Sequence, residues 1–179
     1  MIYNFRIVSD EVANFKREIQ IDADATFLEL RNAICESVGY DKTQLSSFLI
    51  CDNNWEREQE ISLEDMGTDS SQEVYLMEDT PIVDFITDEG QRMMWVYDYM
   101  TERAFFIELK SAVPGKHLRD PLCSIAVGEA PAQFVEPDLD FKIDTTPATD
   151  LDDDFYGSTD YNDDEYDSSG YGEMSLDEQ

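Results

Sequence analysis

The sequence is poor in basic residues: 12 Lys and Arg stand against 42 Asp and Glu, for a formal net charge of -30 in 179 residues. A chain so acidic repels nucleic acid phosphates and anionic lipid, which argues against unaided binding to either. It has one histidine, His117, and three widely spaced cysteines, Cys35, Cys51 and Cys123, with no C-x-x-C pair. That set does not make a disulfide framework and fits reduced thiols in a cytoplasmic setting. Residues 1–6 lack the basic start and apolar stretch of a secretion signal. No apolar run approaches the ~20 residues that span a bilayer. These absences point to a soluble cytoplasmic protein without a membrane segment.

What is present divides near residue 135. Residues 1–135 hold 26 acidic and 11 basic side chains and most of the apolar ones, enough for a proper core. Residues 136–179 hold 16 acidic side chains and one lysine, Lys142. High charge with Gly, Ser, Thr and few apolar residues is the composition of a disordered segment. Aromatics interleave with the acids there (Phe155, Tyr156, Tyr161, Tyr166, Tyr171), and residues 140–143 alone have strand character. The expected organisation is an α+β domain over 1–133 and an acidic, disordered tail over 134–179.

Within the domain, alternation predicts a strand over 2–8, with Tyr3, Phe5 and Ile7 on one face. A second strand is predicted over 15–21, with Phe15, Ile19 and Ile21 opposite Lys16, Glu18 and Gln20. Polar residues 9–14 join them as a hairpin. A helix follows: Thr26 and Glu29 have capping-box spacing, Phe27, Leu30, Ile34 and Val38 form one stripe, and Gly39 stands where a terminating glycine belongs. Residues 45–51 read as a strand, 52–54 as a turn and 73–77 as a short strand, with an irregular stretch around Ile61, Leu63 and Met66. Thr80 and Pro81 suggest a capped helical turn through Ile86. Strands over 91–97 (Met93, Trp95, Tyr97) and 103–109 (Phe105, Ile107, Leu109) form a second antiparallel hairpin. From Pro114 onward Pro and Gly punctuate the chain, and regular structure is expected to stop. The order hairpin, helix, strand suggests a β-grasp-like, ubiquitin-type sheet with one main helix across it, extended by the second hairpin.

Several residue groups invite a chemical reading. A His/Cys metal site would combine His117, flanked by the cations Lys116 and Arg119, with distant cysteines, and lacks any short ligand spacing. Residues 160–164 imitate the start of an EF-hand loop, but Glu165 replaces the turn glycine and Tyr171 the closing glutamate. No metal or cofactor is therefore expected. No phosphate-binding glycine loop or G-x-S-x-G is present. Asp98 ends a strand between Tyr97 and Tyr99, and these three form the candidate binding site; a carboxylate satisfying turn amides is the plainer role for Asp98. Trp55, Trp95, Tyr97, Phe105 and Phe106 could line a groove, although alternation assigns most of them to the core. Met94 and Val96 share the second sheet face with Phe106, which becomes an apolar docking patch if nothing covers it.

The order of elements, the helix segment 25–34, the strand 95–99 and the Asp120, Pro121, Leu122, Cys123, Ser124 segment with Gly128, Glu129, Ala130 and Pro131 resemble one family. It is the plasmid pRiA open-reading-frame-three family, also described as the TnpR-like passenger of an insertion element, and the resemblance covers roughly residues 1–133. Its recurring string is Tyr-Asp-Phe-Gly-Asp followed by Trp and His. Here Tyr97 and Asp98 match and Tyr99 replaces Phe, whereas Met100, Thr101, Arg103 and Phe105 stand where Gly, Asp, Trp and His are expected. Pro121, Cys123, Gly128, Ala130 and Pro131 match, but the usual Pro-Glu-Asp-x-Gly-Gly ending does not appear. The resemblance implies an architecture; it implies no site, because the polar half of the string is missing and the family has no established activity. A resolvase would need a serine among clustered arginines, and seven arginines are scattered here through an acidic chain.

The expected function is a non-catalytic protein-interaction module whose partner presents a basic surface. An enzyme or small-ligand binder using residues 97–99 with Cys123 or His117 is the alternative, and requires Asp98 and His117 to converge. A third possibility is a nucleic acid mimic that occupies a DNA-binding protein, with the acidic-aromatic tail as its ligand.

Overall fold

The computed structural model describes residues 1–67 and 73–135. The expected disordered tail and the EF-hand-like stretch lie almost wholly outside these residues.

Helix α1, Phe27–Val38, starts where the capping box places it. The Glu29 amide donates to Thr26 Oγ1 at 3.3 Å and the Thr26 amide to the Glu29 carboxylate at 2.8 Å, so two otherwise orphaned donors are satisfied. Gly39 ends it at φ 74°, a left-handed conformation that costs glycine little. Phe27, Leu30 and Ile34 are fully buried. Arg31 is buried beside them, its guanidinium donating to Ser46 Oγ and to the carbonyls of Lys42 and Gln44 at 2.7–2.8 Å.

Among the described residues eight strands form one sheet: β1 Ile2–Ser9, β2 Lys16–Asp22, β3 Ser47–Cys51, β4 Arg57–Ser62, β5 Tyr75–Leu76, β6 Arg92–Asp98, β7 Arg103–Val113 and β8 Leu122–Val127. Their order is β5-β4-β3-β6-β7-β1-β2-β8. The β4–β5 contact is parallel and all other pairings are antiparallel. The domain is thus a sheet-rich α+β fold with one α-helix among the described residues. Both expected hairpins form, but the second does not lengthen the sheet at its margin. β7 lies against β1 and β6 against β3, so this hairpin is the centre of the sheet.

Three local expectations are corrected. The stretch around Ile61 is a regular strand, β4, whose only fully buried side chain is Ile61. Regular structure does not stop at Pro114, because β7 reaches Val113 and β8 follows at the outer margin. The turn at residues 82–84 is 3-10 helical and Thr80 does not cap it. Its hydroxyl donates instead to Leu76 O at 2.7 Å, while the Ile82 and Val83 amides reach Ala25 O and Ala23 O and tie the turn to the start of α1.

The core lies between α1 and one face of the sheet. Tyr3, Phe5, Phe15, Phe27, Phe48, Trp95 and Phe105 are fully buried there, with Phe15 and Phe105 stacked at 4.9 Å. Each such burial contributes about 1.5–3 kcal/mol. No described helix is long and apolar enough to cross a membrane.

Candidate interaction face

Strand alternation leaves a second set of side chains on the face opposite α1, and the registers arrange them in rows. One row is ionic: Glu18 on β2, Arg6 on β1, Glu108 on β7 and Arg92 on β6 stand side by side with alternating sign. Opposite charges at directly paired positions support a sheet, and in this row Arg92 and Glu108 come within 3.9 Å of each other. Glu18 is also bridged by Lys16 at 2.8 Å and Lys110 at 2.9 Å, and these bonds hold its carboxyl below the usual range against the effect of burial. The next row is apolar: Val8, Phe106, Met94 and Leu49, from β1, β7, β6 and β3. Val96, paired with Ala104 and Ser47, continues it.

Leu49, Cys51, Val96 and Ala104 form a small buried cluster of their own, with Trp55 and Met94 packed on it. The aromatic candidates are thereby sorted. Trp95, Tyr97 and Phe105 belong to the helix-side core, whereas Trp55 and Phe106 meet edge to face at 5.0 Å on the other face. Trp55 sits in the β3–β4 turn at φ 66°, over which Asp52 Oδ1 accepts the Asn54 and Glu56 amides. Arg92 stacks on its ring at 5.2 Å.

Among the described residues no helix covers this face. Two adjoining hollows open on it, of about 440 and 220 Å³, sharing Arg57, Val96 and Glu102. Their floor is Leu49, Met94, Val96, Ala104 and Phe106; on the rim the acids Asp10, Glu60 and Glu102 outnumber Arg57, the one cation there without an ion pair among the described residues. Glu11, also on the rim, is neutralised. Arg103 binds its carboxylate in bidentate fashion at 2.7 and 2.8 Å, and chiefly this bond lowers the Glu11 pKa. Asn4 Oδ1, Arg6 Nε and Ser47 Oγ, all on this face by register, have no hydrogen-bond partner among the described residues.

The three residues at 97–99 do not form one site. The register slips between Val96 and Asp98, and Tyr97 turns into the helix-side core while Tyr99 lines the smaller hollow on the opposite face. The Tyr97 hydroxyl donates to Glu11 at 3.2 Å, and burial pushes its pKa far up. Tyr40 beside it is pushed up to about 12, again by burial, and donates to Pro131 O at 2.5 Å. Phenols so held are structural props. Asp98 accepts the Met100 amide at 2.9 Å and the Thr101 hydroxyl at 2.6 Å, the latter chiefly lowering its pKa. It satisfies the turn.

His117 lies at the other end of the sheet, 3.0 Å from Asp22, the residue paired with Ile2. Asp98 is level with Arg103 at one end of β7 and Asp22 with Val113 at the other, so at ~3.3 Å per residue Asp98 and His117 stand roughly 30 Å apart. Ligand atoms of Asp22, Asp24 and His117 lie within 4.8 Å of one another. Asp22, however, already accepts the Asp24 and Leu118 amides and meets the terminal ammonium at 3.6 Å, so Asp22 acts as a clasp on the β7–β8 connection. All three cysteines are free thiols; Cys35 and Cys51 are buried on opposite faces of the sheet and Cys123 is exposed on β8.

Sequence reasoning found the apolar part of the face through Met94, Val96 and Phe106. It missed the ionic row, which becomes visible only once the central hairpin sets Glu108 between Arg6 and Arg92.

The chain's fold is similar to that of a solved protein of unknown function, MM3350 from Methanosarcina mazei Go1. The TM-score is 0.54 at 17% identity, over 70% of this chain and 68% of that one. No curated protein matches the sequence. Residues 2–137 match the model of the plasmid pRiA4b ORF-3-like proteins, and with the fold and the retained Tyr97-Asp98 step beside it, the chain belongs to that family.

Proposed function

We propose that the protein is a non-catalytic interaction module that takes a protein partner on the helix-free face of its sheet. The observation that carries this reading is the in-register apolar row Val8, Phe106, Met94 and Leu49 leading into an open, acid-rimmed groove. The partner would set apolar side chains on that floor and cationic ones against Asp10, Glu60 and Glu102, which agrees with a basic partner surface. The setting we propose is cytoplasmic, supported by thiols that are free and by two that face away from each other. We also propose that the sheet derives from a β-grasp whose centre is a hairpin; superposing β1, β2, α1 and β3 on a ubiquitin-type domain tests it, and mismatched strand directions would sink it.

The function is tested by capturing partners from native lysate with the full chain at low and high salt. A protein retained by the unaltered chain should be lost with the Met94→Lys, Val8→Glu double variant and kept with Glu36→Gln on α1. Retention by the face variant, or no retained protein at either salt, would refute this assignment.

A further inference from the structure

The two margins of the sheet are built differently. At one, β5 is only two residues long, and the neighbouring β4 carries Arg57, Glu58 and Glu60. Shortness and charge are the usual protection of a sheet edge against stray pairing. At the other, β8 offers six residues, Leu122–Val127, without a charge or a proline, and its outer side is unpaired among the described residues. A bulge at Ser124 sets Leu122, Ile125 and Val127 opposite Gln20, Glu18 and Lys16, so all three share the helix-free face. Leu122 is 52% exposed and Val127 51%.

This edge is held rigid. The buried Arg17 guanidinium donates to Val127 O at 2.8 Å, Gly128 O at 3.0 Å and Ser37 O at 3.1 Å, pinning the end of β8 to the end of α1. Ser124 Oγ donates to Glu18 O at 3.2 Å. A preformed edge loses little entropy when a strand adds to it.

We infer that β8 is a self-association edge, on which a second copy of this chain lays its own β8 antiparallel and continues the sheet across a two-fold axis. Charge selects this occupant and this direction. The chain carries -30 overall, which opposes contact between copies over most of the surface, so a contact needs an uncharged edge with locally complementary flanks, and β8 has both. The residues before it, Lys116, Arg119 and Asp120, are net positive, and Glu129 after it is negative. Antiparallel pairing brings the positive flank of each copy to the negative flank of the other; parallel pairing would set like against like. The two-fold also places Leu122 of each copy beside Val127 of the other, twice, on the same face. One strand pair falls below the ~1,200 Å² of firm interfaces, so the dimer is reversible, with a dissociation constant in the micromolar range or weaker.

Sedimentation of the full chain across about a hundredfold range of concentration should show the mass rising from monomer toward dimer. Leu122→Lys with Val127→Lys, which places like charges opposite each other, should weaken association about tenfold or more. Cross-linking the unaltered chain with a short bis-maleimide reads the same contact without a variant, since Cys123 is the exposed thiol. A cross-linked dimer is expected whose yield falls when the chain is diluted before the reagent is added. A chain that stays monomeric at every concentration, a double variant that dimerises as tightly as the original, or failure of Cys123 to cross-link at concentrations where the mass is dimeric would overturn the inference.

Discussion

Replacing Arg17 by Met tests how β8 is held, because the stem is kept and only the guanidinium is lost. Arg17 is 6% exposed, and no carboxylate pairs with it among the described residues. Its Nε donates to Ser37 O, and Nη1 serves Lys16 O, Val127 O and Gly128 O at 2.8–3.0 Å; the group stacks on Phe15 at 4.7 Å. A hydrogen bond from a charged donor is worth about 1.5–3 kcal/mol, and one nitrogen cannot align fully with three carbonyls, so two bonds count in full, about 3–6 kcal/mol. Stacking adds about 0.5–2 kcal/mol. Against this, removing a buried charge that lacks a counter-ion recovers several kcal/mol of desolvation. The net expectation is a loss of about 3 kcal/mol, roughly 150-fold in the folding equilibrium. In urea, with a slope near 2 kcal/mol/M, the midpoint should fall by about 1.5 M. Hydrogen exchange should show the β8 amides losing protection ahead of β1 and β7. Arg17→Lys should recover only part of the stability, since an ammonium cannot reach both the α1 and the β8 carbonyls. A loss under about 1 kcal/mol together with unchanged β8 protection would refute the clamp.

The remaining predictions concern turns, packing and pH. Gly128→Ala should cost about 2–4 kcal/mol, because φ is 70° and a Cβ would stand 2.4 Å from the Asn14 carbonyl oxygen; Gly115→Ala, at φ 72° with open space, should cost about 1 kcal/mol, and equal melting shifts would contradict the close approach. Asp98→Ala frees the Met100 and Thr101 amides and should lower stability by about 1–2 kcal/mol while leaving partner capture intact, so loss of capture at unchanged stability would restore Asp98 as a binding residue. Glu11 and Glu18 are held below the usual carboxylate range, chiefly by the bonds from Arg103 and from Lys16 with Lys110 respectively. Their contribution is present above the ordinary carboxylate range and is lost as pH falls through the lowered values. Glu18→Gln should therefore flatten the acid limb of a stability-against-pH curve measured by denaturation, and an unchanged slope would show that the bridges carry no weight.

Sequence patterns reach as far as the residues have a one-sided environment. Helix α1 was legible because its cap, stripe and terminating glycine agree with one another. So were β1, β2, β6 and β7, each with a buried and a wetter face. Strand β4 was hidden because Arg57, Glu58 and Glu60 show no alternation, pairing with β3 having decided the matter alone. Strand β8 was hidden because it is exposed almost throughout, so burial imposes no period on it. The buried arginines do leave a trace in the sequence: Arg31 lies four residues after Phe27, on the flank of the apolar stripe, and Arg17 lies between Phe15 and Ile19 on the core side of β2. A guanidinium placed among apolar positions is a demand for carbonyls, and the 40–46 loop and the end of β8 supply them. The separation of Tyr97 from Tyr99 could not be read, since a single slipped residue reverses every face that follows it.

The central position of the second hairpin bears on how the chain comes together in time. β1 has its N-terminal partner β2 close by in sequence, but its other neighbour, β7, begins at Arg103. At about 5–20 residues per second, a ribosome takes roughly 5–20 s to make the ~100 residues between them. For that interval the first hairpin and α1 have no central strands to close against, and β3 waits on the same pair. Closure over so long a loop is slow and cooperative, and little of the sheet can be locked in before β7 arrives. Chains stopped short of Val113 would then present both an open β1 edge and the bare apolar side of α1, the surfaces that chaperones bind and that aggregate when none is at hand.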